Sequence, residues 1–169
     1  MNNNHTIHHY FFISALATIF TLGCLWGAIN LLLIGFEESF HGIDYSWVLA
    51  HGHAMVFGFV GLFIMGFSYR ALPHFMNTTL WKPKLALSTL PIMIFGILLQ
   101  AYAHVIAPRQ PYLLLGISAG IIQIIAVIIF ALVIARTMQS ATTRGSSAGL
   151  SIAALGWFLI AAILNPVIF

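Results

Sequence analysis

Three histidines lie inside apolar stretches of this sequence, and their type and surroundings make them the candidate residues for chemistry. His51 and His53 lie two residues apart near the start of one apolar stretch, and His104 lies at the end of the next. An imidazole in the hydrocarbon core of a membrane is costly to keep, so it marks a functional site by default. A neutral imidazole is also a common metal ligand. These side chains are therefore candidate ligands for a metal ion or a haem iron.

The composition indicates that these stretches lie in a membrane. The chain has 169 residues, of which 61% are hydrophobic and only 5% are charged. A soluble domain carries roughly a quarter charged residues. The sequence has no basic patch with interleaved aromatic residues, so nucleic acid is not an expected partner. The single cysteine, Cys24, excludes an internal disulfide and a cysteine-rich zinc site.

Five apolar stretches are long enough to cross a bilayer, which takes roughly 20 residues each. They lie near 11–35, 46–69, 85–104, 112–135 and 148–168. Each must be a helix, because a single span has to satisfy its own backbone polar groups. The sequence therefore predicts an all-α fold in which residues 1–169 form one transmembrane domain of about five antiparallel helices. Ahead of the first span, a retained polar tail is expected to leave three histidines solvated: His5, His8 and His9.

The charges between the stretches predict how the protein crosses the membrane. The second and fourth connections are basic and carry Arg70, Lys82, Lys84, Arg136 and Arg144. The first connection is acidic, and Arg109 is the one basic residue on its side. The positive-inside rule then predicts a multi-pass protein of the cell inner (cytoplasmic) membrane, with a cytoplasmic N-terminus and an outer C-terminus. Four histidines are expected toward the outer face and one toward the inner face, the four being His41, His51, His53 and His104 and the one being His74.

Helix geometry divides the two neighbouring histidines between two faces. Successive helix residues are about 100° apart, so His51 and His53 point to nearly opposite sides. Small residues beside them leave room for a flat ligand such as haem: Gly52, Ala54, Gly58 and Gly61. The His51 face also carries Met55 and Gly58, and the His53 face carries Phe57 and Gly61. Because the third span runs antiparallel to the second, His104 is expected at about the same depth as His51.

Other in-span residues have packing roles in this interpretation. Gly116 and Gly120 have the small-xxx-small spacing that permits close helix approach, either within the chain or at a dimer face. Four amides are expected to form interhelical hydrogen bonds: Asn30, Gln100, Gln123 and Asn165. Pro91 is expected to kink or loosen the third span.

The segment around His51 resembles two related groups of membrane haem proteins. The residues His51-Gly-x-x-Met55-x-Phe57, followed by Gly66-Phe67 and Pro73, resemble the second helix of haem-copper oxidase subunit I. A longer sequence pattern is similar to the NnrS family, whose members are linked to nitric oxide metabolism. It consists of Trp47 … His51-x-His53-x-Met55-x-Phe57-Gly58, then Ala71-Leu72-Pro73. The resemblance covers about residues 47–75.

The resemblance implies a haem b protein that works in electron transfer or in handling nitric oxide or oxygen. It implies an axial-ligand role for His51, with Met55 and Gly58 beside the cofactor. We expect His104 as the second ligand; the alternatives are His53 of another copy, a partner subunit or an open position. The copper-binding segment His-Pro-Glu-Val-Tyr of the oxidases is absent, so oxygen reduction by this chain alone is not expected. Whether the protein is an enzyme stays open, and no catalytic residue is predicted.

Two other functions fit the same residues. A metal-binding module would hold copper through three histidines and a methionine: His51, His53, His104 and Met55. Alternatively, the chain is a structural subunit of a larger respiratory complex, in which the histidines only pack. The expected partners are the lipid bilayer and, as options that the sequence leaves open, a second copy or a respiratory-type subunit.

Overall fold

Five helices in this protein are long and apolar enough to cross a membrane. The structure is a computed structural model that describes residues 6–39, 43–141 and 146–168, and these residues contain helices and turns but no strand. The helices are α1 (Ile7–Glu37), α2 (Tyr45–Phe75), α3 (Pro83–Ile106), α4 (Tyr112–Gln139) and α5 (Ser146–Ile168). The prediction of an all-helical fold with five helices long and apolar enough to cross a membrane is confirmed for the described residues.

The first two helices extend well beyond their predicted ends. α1 begins at Ile7, so the predicted polar tail is helical there: His9 is exposed in the first turn, and His8 is half-buried with its ring 5.7 Å from that of Phe12. α2 continues past Arg70 to Phe75. At about 1.5 Å per residue, a helix of 31 residues exceeds the ~30 Å hydrocarbon core, so its ends reach the polar headgroup layer. His5 and His41 lie outside the described residues.

Two helices contain a π-helical segment, which the sequence did not predict. These segments are Ile19–Leu25 in α1 and Ala54–Gly61 in α2, and they contact each other. The segment in α2 begins directly after His53. Such segments occur often at functional sites, because the wider turn re-aims the side chains around it. α3, in contrast, is α-helical from Pro83 to Ile106, through Pro91.

The core of the bundle surrounds Tyr69 of α2. Its ring lies 5.3 Å from the ring of Phe11 in α1 and 5.3 Å from that of Phe130 in α4. Its hydroxyl shares a hydrogen bond of 3.1 Å with the hydroxyl of Thr89 in α3. Tyr69 therefore ties α2 to three other helices. α4 packs along α3 and α5, and α1 packs along α2.

The small-residue pair of α4 has an intramolecular role at Gly120. A β-carbon at this position would lie 2.7 Å from Cβ of Pro166 in α5. Gly120 thus lets α4 and α5 approach each other within one chain. Packing inside the chain accounts for this glycine without a second copy.

The two ends of the bundle differ in charge. The acidic end carries the α1–α2 connection with Glu37, Glu38 and Asp44, and the basic end carries Arg70, Lys82, Lys84 and Arg136. At the basic end, the backbone N–H of Trp81 donates a 3.0 Å hydrogen bond to Oγ1 of Thr137, which joins the α2–α3 connection to α4. The cytoplasmic location of the basic end stays a prediction from the positive-inside rule.

Candidate functional site

His51 faces α1. Its Cε1 atom lies 2.9 Å from the point that a β-carbon on Gly27 would occupy. On the same face, Sδ of Met55 lies 2.7 Å from the corresponding point on Gly23, and Gly58 packs against Thr18 of α1. These contacts agree with the predicted grouping of His51, Met55 and Gly58. They also show that the space beside Gly58 is taken by α1.

His53 faces the opposite side of α2, toward α5. Its imidazole stacks on the ring of Phe57, with centroids 5.0 Å apart and planes 24° apart. Phe57 stacks in turn with Phe158 of α5 at 6.4 Å. A β-carbon on Gly61 would lie 3.4 Å from the same Phe158 ring. The aromatic stack therefore fixes the plane of the His53 imidazole against α5.

His53 and His104 line one cavity between α2, α3 and α5, near the acidic end. The cavity has a volume of about 560 Å³, within the roughly 300–1,000 Å³ of typical cofactor pockets. Gly52 also lines it and has no atom within 4 Å of the position of a β-carbon. The other lining residues are mostly apolar and include two amides: Val48, Leu49, Val56, Phe57, Gln100, Ala161, Leu164 and Asn165.

A hydrogen-bonded set of three amides lies beside this cavity and joins three helices. Nε2 of Gln123 donates to Oε1 of Gln100 at 2.9 Å. Nδ2 of Asn165 donates to the same oxygen at 3.0 Å, and Nε2 of Gln100 donates to Oδ1 of Asn165 at 3.3 Å. The prediction of interhelical hydrogen bonds is confirmed for these three residues. The imidazole of His53 lies beside the side chains of Gln123 and Asn165 and interacts with His104.

Two atoms at this place have unused hydrogen-bonding capacity. Nε2 of His53 and Oε1 of Gln123 are buried, and neither has a hydrogen-bond partner within residues 6–39, 43–141 and 146–168. A buried polar atom without a partner costs free energy in an apolar environment. His53 lines the cavity together with His104, and a neutral imidazole is a common metal ligand. The residues present therefore fit a haem held through imidazole.

The sequence predicts that His51 and His104 lie together, but the structure groups the predicted site residues differently. It brings His53 and His104 together, whereas His51 and Met55 pack on α1 and do not line the cavity. Across the described parts of the chain, no cluster of three or more histidine, cysteine, aspartate or glutamate side chains could hold a metal ion. The predicted copper-binding set is accordingly not gathered at one point. The sequence predicts interhelical hydrogen bonds for three amides but does not place them at the site: Gln100, Gln123 and Asn165. Their polar side chains within apolar spans are the sequence feature that could have indicated this.

Comparisons with protein-family models, with curated proteins and with solved structures find no match to this chain. The resemblance of residues 47–75 to haem-copper oxidase subunit I and to NnrS therefore stays an expectation from the sequence.

Proposed function

We propose that this protein binds a haem b in the cavity between α2, α3 and α5 and works in electron transfer or in handling a diatomic gas. The observation that carries the proposal is that His53 and His104, on two different helices, line the same largely apolar cavity. His53 and His104 would hold the haem iron, and the haem would supply one-electron chemistry or bind a diatomic gas.

Packing favours His53 over His51 as the ligand from α2. The resemblance to the oxidase helix assigns the ligand role to His51, but its ring lies directly against Gly27 of α1. A porphyrin on that side would have to separate α1 from α2. His53 already lines a cavity of suitable volume together with His104.

The surrounding residues have clear supporting roles in this proposal. Phe57 fixes the plane of the His53 imidazole through stacking. Gln123 and Asn165 would orient that ring, since a ligating histidine usually has its second nitrogen fixed by a hydrogen bond. The apolar side chains of the lining, such as Val56 and Leu164, would provide apolar contacts for the cofactor.

An optical spectrum of purified protein from haem-replete cells tests the proposal. We expect a Soret band and a reduced-minus-oxidised difference spectrum of haem b. His53→Ala and His104→Ala should lose most of the haem, whereas His74→Ala, at an exposed position near the basic end, should retain it. A purified wild type without Soret absorption contradicts the proposal, and copper found by elemental analysis in its place would favour a metal-binding module.

Binding of carbon monoxide distinguishes electron transfer from gas handling. If both histidines are axial ligands, the reduced wild type should not react with the gas, and His104→Ala protein that keeps its haem should bind it. An immediate spectral shift in the wild type would instead indicate an open axial position and favour gas handling over electron transfer.

A further inference from the structure

A second cluster of buried polar atoms lies at the contact between α1 and α2, on the face of α2 away from the cavity. It consists of Nε1 of Trp26, Oδ1 of Asn30 and Nδ1 of His51. Each is buried and has no hydrogen-bond partner in the part of the chain that the structure describes. Asn30 is only 6% exposed. In an apolar interior, three such atoms would together be strongly destabilising if nothing paired with them.

The three side chains belong to the contact between α1 and α2 around Gly27. The His51 ring lies over Gly27, with Nδ1 3.4 Å from the point where a β-carbon would be. Since helix residues are about 100° apart, Trp26, Gly27 and Asn30 lie within a sector of about 100° on α1. The Trp26 ring also meets the ring of Trp47 on α2 at 5.8 Å, in an edge-on arrangement. Trp47 lies one helical turn before His51, so these contacts belong to the same helix pair.

We propose that this cluster binds one ordered water molecule that bridges α1 and α2. The indole N–H of Trp26 can only donate, and Oδ1 of Asn30 can only accept. Nδ1 of His51 can do either, according to its tautomer. A water molecule can accept from Trp26, donate to Asn30 and form a third bond with His51, and about three hydrogen bonds are typical of buried water.

The chemistry of the three atoms disfavours other small ligands. A metal ion gains nothing from an indole N–H, which has no free lone pair in the ring plane. An anion would meet the carbonyl oxygen of Asn30. A water site also gives His51 a role that does not depend on haem binding, so either proposal can fail without the other.

Nuclear magnetic resonance of full-length protein in lipid nanodiscs tests the site. With ¹⁵N-labelled tryptophan, we expect the indole N–H of Trp26 to show a cross-relaxation peak to a long-lived water molecule. The Trp26→Phe variant identifies the signal. Trp47→Phe is the matched control, because it makes the same chemical change on the ring that packs against Trp26 and should leave the water peak in place.

Substitution of the acceptor completes the test. Asn30→Leu, and separately His51→Phe, should abolish or strongly weaken the water peak of Trp26. Absence of the peak in the wild type overturns the proposal, and this measurement does not require any variant to fold. A water peak that keeps its full intensity in both variants also overturns it, because the water would then not be held by these residues.

Discussion

The Cε1 atom of His51 lies 2.9 Å from the point that a β-carbon on Gly27 would occupy, so one helix carries an imidazole where its neighbour carries no side chain. Gly27→Ala should therefore destabilise the protein by about 1–3 kcal/mol, the usual range for overpacking. Gly35→Ala is the matched control on the same helix, where a β-carbon would meet nothing within 4 Å. That change should be neutral or stabilising by up to ~1 kcal/mol. Denaturant unfolding in detergent measures both, and equal effects would contradict the contact.

Gly120 provides a second test of helix packing. A β-carbon there would lie 2.7 Å from Cβ of Pro166, whose ring cannot rotate away. Gly120→Ala should lower the free energy of unfolding by about 1–3 kcal/mol, whereas Gly156→Ala, in open space on α5, should not. The loss should be the same at every protein concentration. A loss that grows on dilution would indicate that Gly120 lies at a dimer face.

Gln123 tests the amide network. It is fully buried and donates to Gln100. Gln123→Leu should destabilise the protein by about 1–3 kcal/mol, because the buried side chain of Gln100 loses a hydrogen bond. The control on the same helix is Ser118→Ala. The exposed hydroxyl of Ser118 donates to the backbone carbonyl of Leu114, and its loss should change the free energy of unfolding by less than ~0.5 kcal/mol. If haem is bound, Gln123→Leu should also shift its midpoint potential, and an unchanged potential would argue against orientation of His53 by this amide.

The choice between the two neighbouring histidines is directly measurable. His53→Ala should reduce the haem-to-protein ratio to near zero, and His51→Ala should leave most of the haem in place. The physical reason is that His53 lines the cavity while His51 packs on α1. Pyridine haemochrome analysis of equal amounts of folded protein gives the ratio. The opposite outcome would return the ligand role to His51, as the resemblance to the oxidase helix implies.

Cysteine accessibility tests the predicted orientation. Cys24 is exposed and has to be replaced first. In that background, Ser39→Cys at the acidic end should react with a membrane-impermeant reagent added to intact cells, and Thr79→Cys at the basic end should not. Basic connections are retained on the cytoplasmic side. Labelling of Thr79→Cys alone would show that the protein is inserted the other way round.

The sequence by itself determined the all-helical membrane architecture. Five apolar stretches with almost no charge leave the backbone one way to satisfy its polar groups in lipid, which is to form helices. The 100° rotation per residue also separated His51 from His53, and the contacts of Met55 and Phe57 follow that separation. These features are local, so they can be read from spacing and composition.

Only the tertiary structure decided which histidine meets which helix. His51 and His53 have nearly the same depth, and the sequence contains nothing that says whether α1 or α5 covers a given face of α2. Contacts between residues distant in sequence determine which helix covers each face. The ring of His51 packs on Gly27 of α1, and Phe158 of α5 stacks on Phe57 beside His53. The partnership of Gln100, Gln123 and Asn165 is likewise non-local, because each hydrogen bond requires two different helices to approach at one height. Side-chain complementarity between helices therefore fixed the site, whereas local backbone chemistry fixed the spans.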